Sequence, residues 1–338
     1  MNFYSTGMIP PFACSNSFHR WRQITDCYES QVRGFVKMLN ITYFNLTMFL
    51  NIGPYRYPAL ASCLLLYLFI VCANWAIVLT IFREKTLHEP MYIFIASLSF
   101  NALYGSTGFF PRFLMDLASD THLISRAACF TQIYLIYTYG ANEMTTLCVM
   151  AYDRYLAVCH PLHYHTRMTV KKALTLVGLA WLLPVFILTT VIYLSATLPL
   201  CGNEIQKVFC ANWNVVKLSC MPTVVNNAVG MFVTISTIFI PLAFILYTYT
   251  RIMSTSWRRS AKYKGRVFQS CLPHMVSFVI FSIAIFCDIA LSRYNVEQMN
   301  AFVAIILSLE FVVIPPVLNP LVYGLKLSDI RRHIFKML

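Results

Sequence analysis

Seven long apolar segments divide this chain, and each is long enough to cross a bilayer as a helix, which needs about 20 apolar residues. The segments are Tyr57–Phe82, Pro90–Met115, Arg126–Cys159, Lys171–Thr197, Val224–Ile252, Phe268–Leu291 and Val296–Tyr323. Only 12% of all residues are charged and 58% are hydrophobic, whereas soluble domains carry roughly 25% charged residues. Because so few charges could not cover a soluble surface, the pattern predicts an all-α membrane protein, a bundle of seven transmembrane helices.

The basic residues predict how this bundle is oriented. The net charge is +13, but Lys and Arg lie between apolar segments and not on one soluble face, as they would in a nucleic-acid-binding protein. Most follow the first, third, fifth and seventh segments, as in the run Arg258–Arg266. Basic loops stay in the cytoplasm and attract anionic lipid. We therefore expect a plasma-membrane protein with an extracellular N-terminus and a cytoplasmic C-terminus, whose partners include membrane lipids but no nucleic acid.

The predicted outer side carries features of an extracellular surface. Two glycosylation sequons begin at Asn40 and Asn45, just before the first segment. Four cysteines lie at outer positions, where oxidation can occur, and four cysteines allow three pairings. They are Cys129, Cys201, Cys210 and Cys220.

Three regions follow from this division. Residues 1–56 form an extracellular segment, residues 57–325 a seven-helix domain and residues 326–338 a cytoplasmic end. Residues 1–37 are polar and lack the apolar core of a signal peptide. We expect them to be disordered, or to be an extension upstream of a true start at Met38.

The third segment ends in Asp153-Arg154-Tyr155, an acid and a base side by side at the cytoplasmic edge. Together with seven spans, this triplet resembles rhodopsin-like (class A) G protein-coupled receptors. Asn74 and the Asn319–Tyr323 stretch (NPLVY) match further family elements. The resemblance also implies that the basic stretch Lys326–Leu338 forms a short amphipathic eighth helix.

Four longer motifs narrow the resemblance to odorant (olfactory) receptors, possibly of fish type. They are Leu87–Tyr92 (LHEPMY), Met150–Tyr164 (MAYDRYLAVCHPLHY), Cys271–His274 (CLPH) and Pro316–Pro320 (PVLNP). The resemblance implies two disulfides, Cys129–Cys210 and Cys201–Cys220. The chain departs from the broader receptor pattern at Ala102, where an acid is expected in the second span.

The resemblance also implies a switch at the cytoplasmic end, in which Asp153 holds Arg154 until a G protein binds. The alternative is that this pair only caps and solvates a helix end. The candidate switch residues are Asp153, Arg154, Tyr155, Tyr249, His274, Asn319, Pro320 and Tyr323.

Glu143 is an acid inside the third span, where ionisable residues are rare and usually functional. It lies eleven residues before Arg154, so both face the bundle. We expect Asn74, Asn101 and Glu143 to form a polar network; contact with a ligand or an ion is the alternative.

Residues at matching positions along the helices predict a ligand pocket in the outer half of the bundle. This pocket is mostly apolar and suited to a small molecule. Core packing is the alternative for each residue. Asp288 could meet a cationic ligand group or be solvated at the rim. The candidates are Ile136, Tyr137, Gly140, Ala141, Val233, Thr234, Thr237, Ile285, Asp288, Ile289, Leu309 and Val313.

The leading hypothesis is an odorant receptor in sensory cilia, which binds a small-molecule odorant and activates a stimulatory G protein of the cyclic AMP pathway. A second receptor copy is a further partner. We expect no cofactor, metal or catalytic residue. A class A receptor for a peptide or lipid is the alternative. A transporter is more distant, because such proteins contain internal repeats and the sequence has none.

Overall fold

The computed structural model describes residues 41–257, 259–293, 301–324 and 330–333. Seven long helices form a bundle, which confirms the predicted all-α architecture. The first four are α1 (Arg56–Arg83), α2 (Pro90–Ala118), α3 (Arg126–Cys159) and α4 (Val170–Ala196). Helix α5 has two parts, Val224–Thr234 and Ile240–Trp257, joined by a π-helical turn at Ile235–Phe239. Helix α6 is Ala261–Arg293, and α7 is Ala301–Asn319 with a π-helical turn at Pro320–Gly324.

Local sequence signals explain several helix ends. The hydroxyl of Ser125 accepts a hydrogen bond from the amide of Ala128 at the start of α3, and Thr169 does the same for Lys172 at the start of α4. Such N-caps satisfy amides that have no partner within the helix. Both π-helical turns lie beside prolines, Pro241 and Pro320, because proline removes an amide donor and disrupts the regular ladder.

Six of the helices in the described part of the chain are long and apolar enough to cross a membrane, and α3 is the exception. Helix α3 has 34 residues, about 50 Å at 1.5 Å per residue, and packs against α2, α4, α5 and α6. Its buried polar side chains, Asn142, Glu143 and Thr146 among them, lower its hydropathy without exposing charge to lipid. The outward faces of other helices present large apolar side chains such as Leu65, Phe186 and Phe232, a surface that lipid covers.

The ends of α5 and α6 that meet at the basic segment differ from the prediction. Helix α6 begins at Ala261 instead of Phe268, and α5 continues to Trp257 instead of Ile252. Hydropathy marks where a helix leaves the bilayer, and these helices continue into water. In the predicted eighth helix only residues 330–333 are described, and they are helical; the rest of this prediction lies outside the described residues.

The outer end is covered by a lid that hydropathy does not reveal. This lid consists of a three-stranded sheet and the loop between α4 and α5. Its centre is β1 (Tyr43–Leu46), which pairs antiparallel with β2 (Leu123–Ser125) and parallel with β3 (Glu204–Ile205). Phe44 and Leu46 are fully buried, so β1 turns alternate side chains into the bundle. The predicted extracellular segment is thus part of the fold from residue 41 onward.

Two disulfides fasten the lid. Cys129 at the start of α3 is bonded to Cys210, and Cys201 is bonded to Cys220. These are the pairs that the resemblance implies. Cys63, Cys72, Cys148, Cys159, Cys271 and Cys287 are free thiols.

Candidate functional site

A cavity of about 160 Å³ lies in the outer half of the bundle, beneath the lid. Helices α3 to α7 line it, and the loop between α4 and α5 closes it with a short helix, Asn212–Val216. An engineered apolar cavity of roughly 150 Å³ binds benzene. The space therefore suits a molecule of about that size.

Helical spacing identified most of the α3, α5 and α6 contributions to this cavity. The candidates that line it are Tyr137, Gly140, Ala141, Val233, Thr234, Thr237, Ile285, Asp288 and Ile289. Three candidates do not line it. Ile136 is fully buried in the core, one residue and therefore about 100° of helix rotation away from Tyr137. Leu309 and Val313 pack against the core, and Phe311 between them is the α7 residue at the cavity.

Sequence reasoning missed the remaining lining residues. Most come from α4, the outer loop and the outer start of α5, whereas Ile238, Ser292 and Phe311 lie within a turn of a candidate on the same helix. The missed residues are Leu188, Val191, Asn212, Trp213, Val216, Asn226, Gly230, Ile238, Ser292 and Phe311. One available signal was the helical repeat, since Ser292 follows Asp288 by four residues and so shares its face.

Phe311, which lines the cavity, packs in a cluster of three aromatic rings. The ring centroids of Tyr139, Phe281 and Phe311 lie 5.7 to 6.4 Å apart. Phe311 packs directly against Gly140, where an added Cβ would lie 2.7 Å from the ring. Gly140 therefore admits the Phe311 ring, and a larger residue there would displace it.

Three polar side-chain atoms at the cavity lack a hydrogen-bond partner within the described part of the chain: Ser292 Oγ, Asn226 Nδ2 and Asn212 Oδ1. The hydroxyls of Thr234 and Thr237 donate to backbone carbonyls of their own helix. A polar atom buried without a partner is costly.

Asp288 is paired with a lysine of the lid. The Nζ atom of Lys207 lies 2.6 Å from Asp288 Oδ1, and only 2% of the lysine side chain is exposed. Two alternatives were predicted for Asp288, contact with a cationic ligand group or solvation at the rim. The carboxylate instead has an internal partner 81 residues away in the chain.

Below the cavity, Glu143 joins three helices. One carboxylate oxygen accepts a hydrogen bond of 2.8 Å from Asn101 on α2, and the other accepts one of 2.7 Å from Asn319 on α7. Asn101 also donates to the backbone carbonyl of Tyr139. Asn74 does not contact Glu143; it donates to the carbonyl of Pro316 and so joins α1 to α7.

At the end of α3 away from the cavity, Arg154 contacts both its neighbour and α6. Its guanidinium lies 3.4 Å from the Asp153 carboxylate and donates to the Ser270 hydroxyl at 3.0 Å. The Tyr164 hydroxyl donates to Asp153. Burial and the nearby Asp153 carboxylate raise the pKa of Tyr164, so this hydroxyl keeps its proton.

His274 joins three helices one level higher. Its Nε2 lies 2.8 Å from the carbonyl of Leu147 and therefore donates, which leaves Nδ1 to accept from the Tyr249 hydroxyl at 2.5 Å. These contacts connect α3, α5 and α6. Tyr323 is buried in the π-helical turn that Pro320 begins.

The remaining candidates lie apart from these clusters. Tyr155 contacts His160 beyond the end of α3. Asn45 is half-buried in β1, and Asn40 lies outside the described residues.

Comparisons with known proteins agree on one family. The profile described as "Olfactory receptor" matches residues 63–338. Olfactory receptor 1M1 of Mus musculus is 32% identical over 84% of this chain and 91% of its own length. Olfactory receptor 11H7 of Homo sapiens is 34% identical over the same shares, and olfactory receptor 1P1 of Homo sapiens is 32% identical over 81% of this chain and 83% of its own.

Proposed function

Because the chain belongs to the olfactory receptor family, we propose that it binds a small odorant in the cavity beneath the lid and thereby activates a stimulatory G protein. The single observation that carries the proposal is the path of α3. This helix lines the cavity at Tyr137 and Gly140, carries Glu143 in the middle and presents Arg154 at its inner end. Ligand and G protein therefore act on one helix.

The contacts of Arg154 support a switch. Its hydrogen bond to Ser270 ties α3 to α6, so an outward movement of α6 must break it. Activation of this kind needs a ligand that binds the open state more tightly than the closed one. The cavity is lined by Ile285 and Ile289 on the same α6, which gives the ligand a direct contact with the moving helix.

The charge distribution supports the orientation. Exposed basic residues, including Arg251, Arg259 and Lys262, surround the cytoplasmic ends of α5 and α6, and such residues mark the cytoplasmic side. They would also dock an acidic surface of the G protein. The plasma membrane of sensory cilia, the cyclic AMP pathway and a receptor oligomer belong to the same proposal.

The alternative of a peptide receptor fits the cavity poorly. A volume of about 160 Å³ accommodates a benzene-sized molecule, which leaves no room for a peptide.

The test is a panel of small neutral volatiles on cells that express the chain, with cyclic AMP as the readout. Gly140→Ala, whose added methyl group would displace Phe311, should weaken the response to an active compound about tenfold or more, as a misfitted buried group does. Gly178→Ala is the matched control, because a Cβ there meets nothing within 4 Å. Surface staining verifies that all three proteins reach the membrane.

Equal potency at wild-type and Gly140→Ala receptors would contradict the cavity as the binding site. A response carried by an inhibitory Gα instead of a stimulatory one would contradict the coupling but not the site.

A further inference from the structure

Asp288 and Lys207 together form an occupied cation site. Among the described residues that line the cavity, Asp288 is the only one with a charged side chain. The Lys207 ammonium lies 2.6 Å from its carboxylate and 5.2 Å from the centroid of the Phe209 ring. A carboxylate and an aromatic face are the two groups that bind a ligand ammonium in proteins.

On the basis of the odorant function, we propose that Lys207 is a tethered cation that occupies the position a ligand amine would take, and so restricts the cavity to neutral ligands. Lys207 is a specificity-determining residue in this proposal, although it does not line the cavity itself. The ligand it selects is a small neutral molecule with a hydroxyl or carbonyl head group.

The lid keeps the lysine in position. Lys207 lies three residues before Cys210, whose sulfur is bonded to Cys129 and whose amide donates to the Gln132 side chain at 2.9 Å. A tethered group acts at an effective concentration on the order of millimolar. A free amine at lower concentration therefore cannot displace it.

The pair also excludes an anion from the same place. A carboxylate ligand would have to take Lys207 from Asp288 and leave that acid buried without a partner, which is strongly unfavourable. The other polar side chains that line the cavity are neutral, Ser292, Asn226 and Asn212 among them. They match a hydroxyl, which donates and accepts, or a carbonyl, which accepts.

The experiment measures the melting temperature of purified receptor with hexan-1-ol, hexylamine or hexanoate, three probes that differ in the head group. Wild type should be stabilised by neither charged probe. Lys207→Met leaves the Asp288 carboxylate without its cation, so hexylamine should bind at least about tenfold more tightly than to wild type. Asp288→Asn leaves the Lys207 ammonium without its carboxylate, so hexanoate should bind more tightly to this variant than to wild type.

The double variant Lys207→Met/Asp288→Asn is the matched control. It has no charge at this position, and neither charged probe should stabilise it. If Lys207→Met is unstable alone, hexylamine should raise its melting temperature more than hexan-1-ol does.

The proposal is overturned if neither single variant binds a charged probe more tightly than wild type does, because the ion pair would then only fasten the lid. It is also overturned if hexylamine stabilises wild type as strongly as Lys207→Met. Because binding is read without a G protein, a receptor that shows this pattern but raises no cyclic AMP would contradict the proposed coupling and leave the role of Lys207 intact.

Discussion

The two ends of the bundle are held in very different ways. At the outer end, two disulfides, a three-stranded sheet and the buried Lys207–Asp288 pair fix the lid over the cavity. At the opposite end, Arg154 is held by a 3.4 Å ion pair and one hydrogen bond to an exposed serine. Of these two contacts only the hydrogen bond to the exposed Ser270 joins α3 to α6, and an exposed polar contact of this kind contributes little. The comparison teaches that recognition rests on a preorganised site, whereas the switch rests on contacts weak enough to break.

The disulfide of the lid is the strongest test of the rigid end. Cys210→Ser opens a loop that spans 81 residues and should cost about 4.5 kcal/mol by the chain-entropy estimate. We expect loss of surface expression and of ligand response, measured by staining of intact cells and by cyclic AMP.

Cys72→Ser is the control for this variant, because Cys72 is an exposed free thiol on α1. Normal trafficking of Cys210→Ser would show that the outer end does not depend on this bond, and the contrast between the ends would fail.

Glu143 lies between the two ends, and its removal should disturb both. Glu143→Leu leaves the amides of Asn101 and Asn319 without their carboxylate acceptor, at about 1–3 kcal/mol for each unpaired group. The melting temperature of the purified receptor should fall clearly. Glu143→Gln should have a smaller effect, because its single amide oxygen still accepts from one asparagine.

Glu310→Leu provides the comparison, since Glu310 is a half-buried acid in the outer part of α7. Equal melting temperatures for Glu143→Leu and wild type would mean that the network does not hold α2, α3 and α7 together.

Ser270→Ala tests the weak end. The variant removes the hydrogen bond from Arg154, worth about 0.5–1.5 kcal/mol, so basal cyclic AMP should rise about two- to tenfold, since 1.4 kcal/mol is tenfold. Gln269→Ala, at an exposed neighbouring position, should not change it. A basal level unchanged in both would indicate that this contact does not hold the closed state.

The smallest effect concerns Asp120 in the loop after α2. The hydrogen bond and positive charge of Arg56 lower the pKa of this carboxyl. Its ion pair therefore contributes stability above the ordinary pKa of an aspartate and loses it as pH falls through the lowered pKa. Asp120→Asn should reduce the melting temperature slightly at pH 7, and the difference from wild type should vanish in strong acid. A difference that grows in acid would reverse the assigned sign.

The sequence predicted the features that depend on the regular spacing of residues along a single helix. The bounds of α3 are those expected, and candidates on α3, α5 and α6 line the cavity because helical spacing places them at one depth. The lid was not predicted, because β1 pairs with strands more than 75 residues away in the chain and no local pattern encodes such a contact. The same reason hid the partner of Asp288. Glu143 was expected in a polar network, but its contact with Asn319 required the position of α7.

The most direct test of the account separates recognition from switching in one variant. Arg154→Ala changes the inner end of α3 and leaves the cavity, at the other end of the same helix, untouched. Binding of an active neutral ligand to the purified variant should equal that of wild type in the absence of a G protein, while its cyclic AMP response in cells should be lost. A variant that still signals, or one that reaches the surface but no longer binds the ligand, would contradict the division of roles between the two ends.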